Sequence, residues 1–268
     1  VRATLLGVPG LGLFALSLIP LAVRVAPALA SSTPLAGVPL ASAPLTTSPA
    51  DHSGTYVLLQ QTVTVAEIPI LADVLTTMRA ISLGRLTHEA GRLRGEASLC
   101  QLAMENSSDL VKTELPAAFR RSLPPVRIDA ELAPKEDGVV FRQAAQTLVV
   151  GARLGAEEEL PTRANDPRVF DQDQDDKPGV TVRVSGLVSG DIYLVQRSTT
   201  RLFGALRGSA FTGRIDFKVE QSVLGTTNRL IGGGPESRPV PSRSYFRLEK
   251  VPSDWTCEQA QRLAAGWR

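Results

Sequence analysis

From Gly54 onward the chain alternates apolar and polar residues with a period of two. Between 214 and 224, Ile215, Phe217, Val219 and Val223 oppose Arg214, Asp216, Lys218, Glu220 and Ser222. Val126, Ile128, Ala130 and Leu132 oppose Arg127, Asp129 and Glu131, and Val180, Val182 and Val184 oppose Thr181, Arg183 and Ser185. This alternation marks a strand with one buried face. Further strands are expected at 55–65, 74–87, 92–104, 139–153, 192–201 and 244–250. Several exceed ten residues, long for a sandwich and natural for a coiled barrel. The expected fold is therefore all-β with minor α: an antiparallel β-barrel or strongly coiled sheet.

Helix is expected only around 116–122 and at 254–266. In the second, Thr256 can cap the helix and Gln259, three residues on, completes a capping box. Trp255 stands where a hydrophobic staple packs, and Gly266 offers a stop. The strands also suggest a pseudo-duplication. Val63–Val65, Met78-Arg79 and 92–95 fall in the order of Val180–Val182, Gln196-Arg197 and 211–214, at an offset near 117–119 residues. Identity is weak, so duplication is one reading and shared β composition the other.

The N-terminus follows a different rule. Arg2 begins it, 11–23 is an uncharged apolar run, and Ala28-Leu29-Ala30 has the form of a cleavage site. Residues 1–30 are expected to be a secretory signal. The stretch 5–23 is nearly long enough to span a bilayer, but Gly7, Pro9, Gly10, Gly12 and Pro20 weaken a membrane helix. With the signal removed, no transmembrane segment is expected, and the protein would be secreted, periplasmic or at the cell surface. Residues 31–52 form a Pro/Ser/Thr/Ala-rich linker in which Pro34, Pro39, Pro44 and Pro49 recur every fifth residue. Each Pro fixes φ and removes a donor, which favours extended structure of ~3.1 Å per residue. The barrel-like domain is expected to occupy 53–268.

Composition narrows the partners. Removing Arg2 and Arg24 with the signal leaves 29 − 2 = 27 basic residues against 27 acidic ones, a neutral mature chain. Neutrality argues against nucleic acid, which demands a concentrated basic footprint. Aromatic content of 5% denies an outer-membrane barrel its interfacial girdles.

The densest chemistry lies at 165–182, where Asp166, Asp171, Asp173, Asp175 and Asp176 crowd a loop ending in Pro178-Gly179. Ca²⁺ takes six to eight oxygens, and clustered carboxylates suit it. Asp171, Asp173, Asp175 and Asp176 form the candidate Ca²⁺ site. The stretch resembles the D-x-D-x-D-G calcium loops of thrombospondin type 3 repeats and EF-hands over some ten residues. It departs from them in two places. Asp176 replaces the Gly, a substitution Asp tolerates because it enters the left-handed region. Val182 stands where an EF-hand has its bidentate Glu, which rules out a complete EF-hand. A solvated acidic turn is the competing reading.

Cys100 and Cys257 are the only cysteines. In an oxidising compartment such a pair is expected to bridge, pinning the C-terminal helix to the 92–104 strand. Hydrolytic machinery is scarce. The two histidines, His52 and His88, are expected at the surface, and no G-x-S-x-G, H-E-x-x-H or Walker loop occurs. The leading expectation is an exported, non-catalytic module binding a hydrophobic small molecule or lipid in a barrel mouth. The alternative is a Ca²⁺-stabilised surface or adhesion module, and a hydrolase with an unrecognised carboxylate site comes third.

Overall fold

The computed structural model describes residues 50–66, 73–108, 110–155, 157–231 and 237–267. The expected signal at 1–30 and the linker up to 49 lie outside the described residues. Eleven strands make one sheet: β1 (Gly54–Ala66), β2 (Val74–Glu89), β3 (Arg92–Asn106), β4 (Val111–Glu114), β5 (Val126–Lys135), β6 (Gly138–Val150), β7 (Val180–Gly186), β8 (Gly190–Arg207), β9 (Ala210–Thr226), β10 (Ser237–Pro239) and β11 (Tyr245–Val251). Helix α1 is Ala117–Ser122 and α2 is Cys257–Ala265. The strands pair antiparallel in a ring of eight, β8-β6-β5-β3-β2-β1-β11-β9, closed by β9 against β8. The expectation of a barrel or strongly coiled antiparallel sheet holds.

Two strands escaped the sequence reading. Four-residue β4 pairs with β7, and three-residue β10 pairs with the end of β1. Neither is long enough to show alternation, so only the neighbouring strand defines them. The two proposed repeats do share an order of elements, since β1-β2-β3 and β7-β8-β9 are both antiparallel meanders. Their placement differs. β1 belongs to the ring, whereas β7 pairs only with the first part of β8 and with β4.

Directly opposed residues share a face, so the register sorts the interior. In one half of the barrel the inward side chains are fully buried. Phe141 packs between Phe211 and Phe246, with ring centroids 5.4 and 5.2 Å away, among Leu58, Leu93, Ile128, Leu202 and Ile215. His52 and His88 close this half. Both are half-buried rather than surface residues, with ring centroids 5.3 Å apart, and His52 meets Phe211 edge-on. Burial and then the neighbouring His88 hold the His52 pKa below its ordinary value. Tyr56, buried beside them, donates to the His52 carbonyl, and burial pushes its phenol up to about 12.

The other half is less uniformly buried, although Val150, Val180 and Leu194 at its far end are buried under Phe119 of α1. Along the register the inward rows become Gln60–Ala80–Leu102 and then Thr62–Met78–Met104, all of them half-buried. Ser82 on β2 and Gln143 on β6 are the last wholly buried inward side chains before those positions begin. Neither Ser82 Oγ nor Gln143 Oε1 has a hydrogen-bond partner.

Outside the ring, α2 lies over β1 and β2. Ala260 and Ala264, one turn apart, let the helix approach Val57, Leu59 and Ile81, and Trp267 completes the layer. This explains why Tyr56-Val57-Leu58-Leu59 breaks the alternation: β1 is buried on both faces. The Thr256–Gln259 capping box forms as expected, and Trp255 packs into the same layer as Ala260. Gly266 is the C-cap, with φ of −81°, so it ends the helix without the left-handed turn. Arg79 donates to the carbonyls of Ala264 and Trp267 at 3.1 and 3.2 Å, satisfying the helix end.

Candidate functional site

The chain leaves β6 at Val150 and reaches β7 at Val180 through the acidic crossover. Backbone bonds fold this crossover onto itself: Phe170 N–H donates to Gly151, Gly179 N–H to Phe170, and Gln172 N–H to Gly179. Gly179 has φ of +84°, and a Cβ there would meet the Leu194 carbonyl oxygen at 2.3 Å, so the return into β7 requires glycine. Inside this closed turn the carboxylates organise the backbone. Asp171 accepts from the N–H of Asp175 at 3.2 Å and of Asp176 at 2.8 Å, and Asp175 accepts from Lys177 N–H at 3.0 Å. Thr181 at the start of β7 donates its N–H to Asp173 at 3.0 Å and its hydroxyl to Asp175.

Three of the four candidate ligands converge. One carboxylate oxygen each from Asp171, Asp173 and Asp175 lies within 4.8 Å of the others. Two oxygens on a Ca²⁺ coordination sphere of ~2.3–2.6 Å radius are at most about 5 Å apart, so this spacing fits one ion. Asp176 stands outside the group. It contributes its backbone instead, at φ of 63°, the left-handed conformation expected where the calcium-loop pattern has Gly. Asp166 and Asp191 supply no oxygen to the cluster. A fork with Arg168 holds the Asp166 carboxyl down at about 2, and Asp191 pairs with Arg183 at 3.1 Å.

Asp173 is the residue of this loop that differs most from an exposed acidic turn. It is 4% exposed, and its Oδ1 is buried without a hydrogen-bond partner. Burial raises its pKa, with Asp175 and Asp171 adding repulsion against the Thr181 hydrogen bond. An uncompensated buried acceptor costs about 1–3 kcal/mol. A solvated acidic turn would turn this group outward. Here it points into a cluster of like charge, the arrangement that a cation neutralises.

Gln172 was not singled out by the sequence, yet it ties the loop to its surroundings. Its Oε1 accepts from Gly151 N–H at 2.8 Å, and its Nε2 donates to the Ser122 carbonyl and hydroxyl at 3.3 Å. The acidic loop thereby holds the C-terminal end of α1. That helix packs Phe119 against Val150, Val180 and Leu194. Only register shows this, because a glutamine between aspartates carries no pattern of its own.

Cys100 and Cys257 stand at disulfide distance, with Cα atoms 5.1 Å apart. Cys100 is the extra residue of a β3 bulge opposite Ile81 and Ser82, and Cys257 is the first residue of α2. A bridged pair points to an oxidising, extracellular environment. Among the described residues no helix is long and apolar enough to cross a membrane. Comparison with protein-family models, curated proteins and solved structures finds no match to this chain.

Proposed function

We propose that the protein is an exported, non-catalytic barrel module that takes a hydrophobic small molecule or lipid in the half-open end of its barrel. The observation that carries this is the change in the interior from wholly buried residues around Phe141 to the half-buried rows at Gln60–Ala80–Leu102 and Thr62–Met78–Met104. At the boundary, Ser82 Oγ and Gln143 Oε1 are polar atoms with unmet hydrogen bonds. Binding sites of this kind combine apolar walls with a few placed polar groups. Export is supported by the N-terminal signal pattern and by the cysteine pair. Native mass spectrometry of the purified mature chain tests the reading: a retained lipid mass is expected. A bare chain that also fails to bind a neutral apolar dye rejects it.

A second reading is favoured by Asp173. The acidic crossover binds Ca²⁺ through Asp171, Asp173 and Asp175, with main-chain and water oxygens completing the shell, and stabilises the module. Three carboxylates suit the weak range of extracellular calcium modules, about 10⁻⁴–10⁻³ M. Saturating Ca²⁺ is expected to raise the melting temperature, and Asp173→Asn to abolish that rise. Without Ca²⁺ the order reverses. The raised pKa of Asp173 means its ionised form opposes folding at neutral pH, and this penalty is relieved as pH falls through its folded pKa toward 3.8. Asp173→Asn is therefore expected to match or exceed the wild-type melting temperature at pH 7 in chelator, with the advantage shrinking near pH 4. A wild-type melting temperature indifferent to Ca²⁺ removes this reading.

A further inference from the structure

The ring of strands has a lateral gap. β5 pairs with β3 only from Arg92 to Ala97, so the remaining length of β3 pairs with β2 on one side and with no strand on the other, although β4 approaches its end through the Asn106–Thr113 hydrogen bond. Helix α1 stands opposite this edge, and between them lies a groove of about 490 Å³. Its walls carry Leu99 and Leu102 from β3 and Leu123 and Pro125 from the segment that follows α1. Leu102 is also an inward residue of the half-open barrel, in register with Ala80 and Gln60, so it belongs to both groove and interior.

Two charges mark the groove, and both are positive. Arg120 and Arg121 line it, both are exposed, and neither guanidinium has an ion-pair or hydrogen-bond partner among the described residues. No carboxylate is among the described residues lining the groove. Several other arginines on the barrel are matched, as Arg92 and Arg94 are by Asp129, Arg197 by Glu220 and Arg247 by Glu249. Adjacent unmatched guanidiniums beside an apolar wall suit a ligand with a carboxylate head and a hydrocarbon tail, because guanidinium forms paired hydrogen bonds with carboxylate. A volume of about 490 Å³ is in the range of sites for one small molecule.

Building on the ligand-binding reading above, we infer that the β3–α1 gap is the entry to the barrel for a single-chain fatty acid. The carboxylate is held by Arg120 and Arg121, and the tail passes Leu99 and Leu102 into the half-open interior. Gln172 fixes this entry indirectly, since it holds Ser122, the residue after Arg121.

The test uses the mature chain with Nile red, a neutral apolar dye, displaced by laurate or by lauryl alcohol, which share a chain and differ in the head group. Laurate is expected to displace the dye at about tenfold lower concentration than the alcohol, equivalent to about 1.4 kcal/mol. In the Arg120→Gln/Arg121→Gln double variant that preference disappears, while dye and alcohol affinities stay unchanged. Both positions are exposed, and an unchanged melting temperature confirms that the variant folds. Equal displacement by the two compounds, or a preference that survives the double variant, overturns the entry site and leaves the hydrophobic-ligand reading standing. Failure of Nile red to bind at all removes both. Binding to phosphatidylglycerol vesicles that depends on the two arginines and is not relieved by laurate assigns them to a membrane surface and also overturns the inference.

Discussion

Reducing the Cys100–Cys257 bridge lowers the unfolding free energy by about 3–5 kcal/mol. The cysteines are 157 residues apart in sequence, so the bridge removes a large part of the freedom of the unfolded chain. The chain-entropy relation gives about 5 kcal/mol for a loop of this length, and measured bridges commonly deliver somewhat less. The native state loses little in comparison. Ala260, Ala264 and Trp267 remain packed on Val57, Leu59 and Ile81, and Arg79 still bonds the helix end. The reduced protein is therefore expected to keep α2 docked while unfolding at lower denaturant. Both tryptophans, Trp255 and Trp267, lie in this layer, so their fluorescence reports its docking directly. Guanidinium titrations of the oxidised chain and of Cys100→Ser/Cys257→Ser measure the difference. Two free thiols in the native protein, or identical midpoints, would show that the bridge contributes nothing.

Phe141→Ala is expected to cost about 3–5 kcal/mol, the range for large-to-small aromatic changes in cores. Phe141 is fully buried and is the one ring that touches both Phe211 and Phe246. Each aromatic pair adds about 0.5–1.5 kcal/mol beyond its buried area. The site is also poorly able to collapse, because its neighbours sit on hydrogen-bonded strands around a closed ring. Phe203→Ala is the control. That ring is 39% exposed on the outer face, beneath the guanidiniums of Arg142 and Arg214, and its loss is expected to cost about 1 kcal/mol or less. Urea denaturation of the two variants separates them. Similar costs would mean that the filled half of the barrel is not the stabilising core.

The half-open end then takes on a particular meaning. A barrel already packed around Phe141 can leave Thr62, Met78, Ala80 and Met104 only half-buried at the other end. The acidic crossover and α1 stand beside that end, joined by Gln172. Calcium in the loop would hold α1 against the gap in the ring, which connects the two readings of function through one side chain.

Much of this protein is determined by local pattern. Period-two alternation placed most long strands within about four residues of their ends, because a side chain's face depends only on its parity along the strand, although β8 runs six residues past the expected 201. The capping box of α2 was legible because its partners are three residues apart, and the left-handed Asp176 because aspartate tolerates that conformation. The partnership of Cys100 with Cys257 followed from there being no other candidate. Tertiary structure decided everything that depends on separations too long for a pattern to encode. It made β1 two-faced by laying α2 over it, and it let β4 and β10 exist as strands through their neighbours. It half-buried the two histidines, setting His52 edge-on against Phe211 with His88 beside it, and brought Gln172 to Ser122. It also separated Asp173 from Asp176 within one loop. The sequence shows equal carboxylates there, and only the packing of the turn against β7 buries one oxygen without a partner while leaving the other residue to shape the backbone.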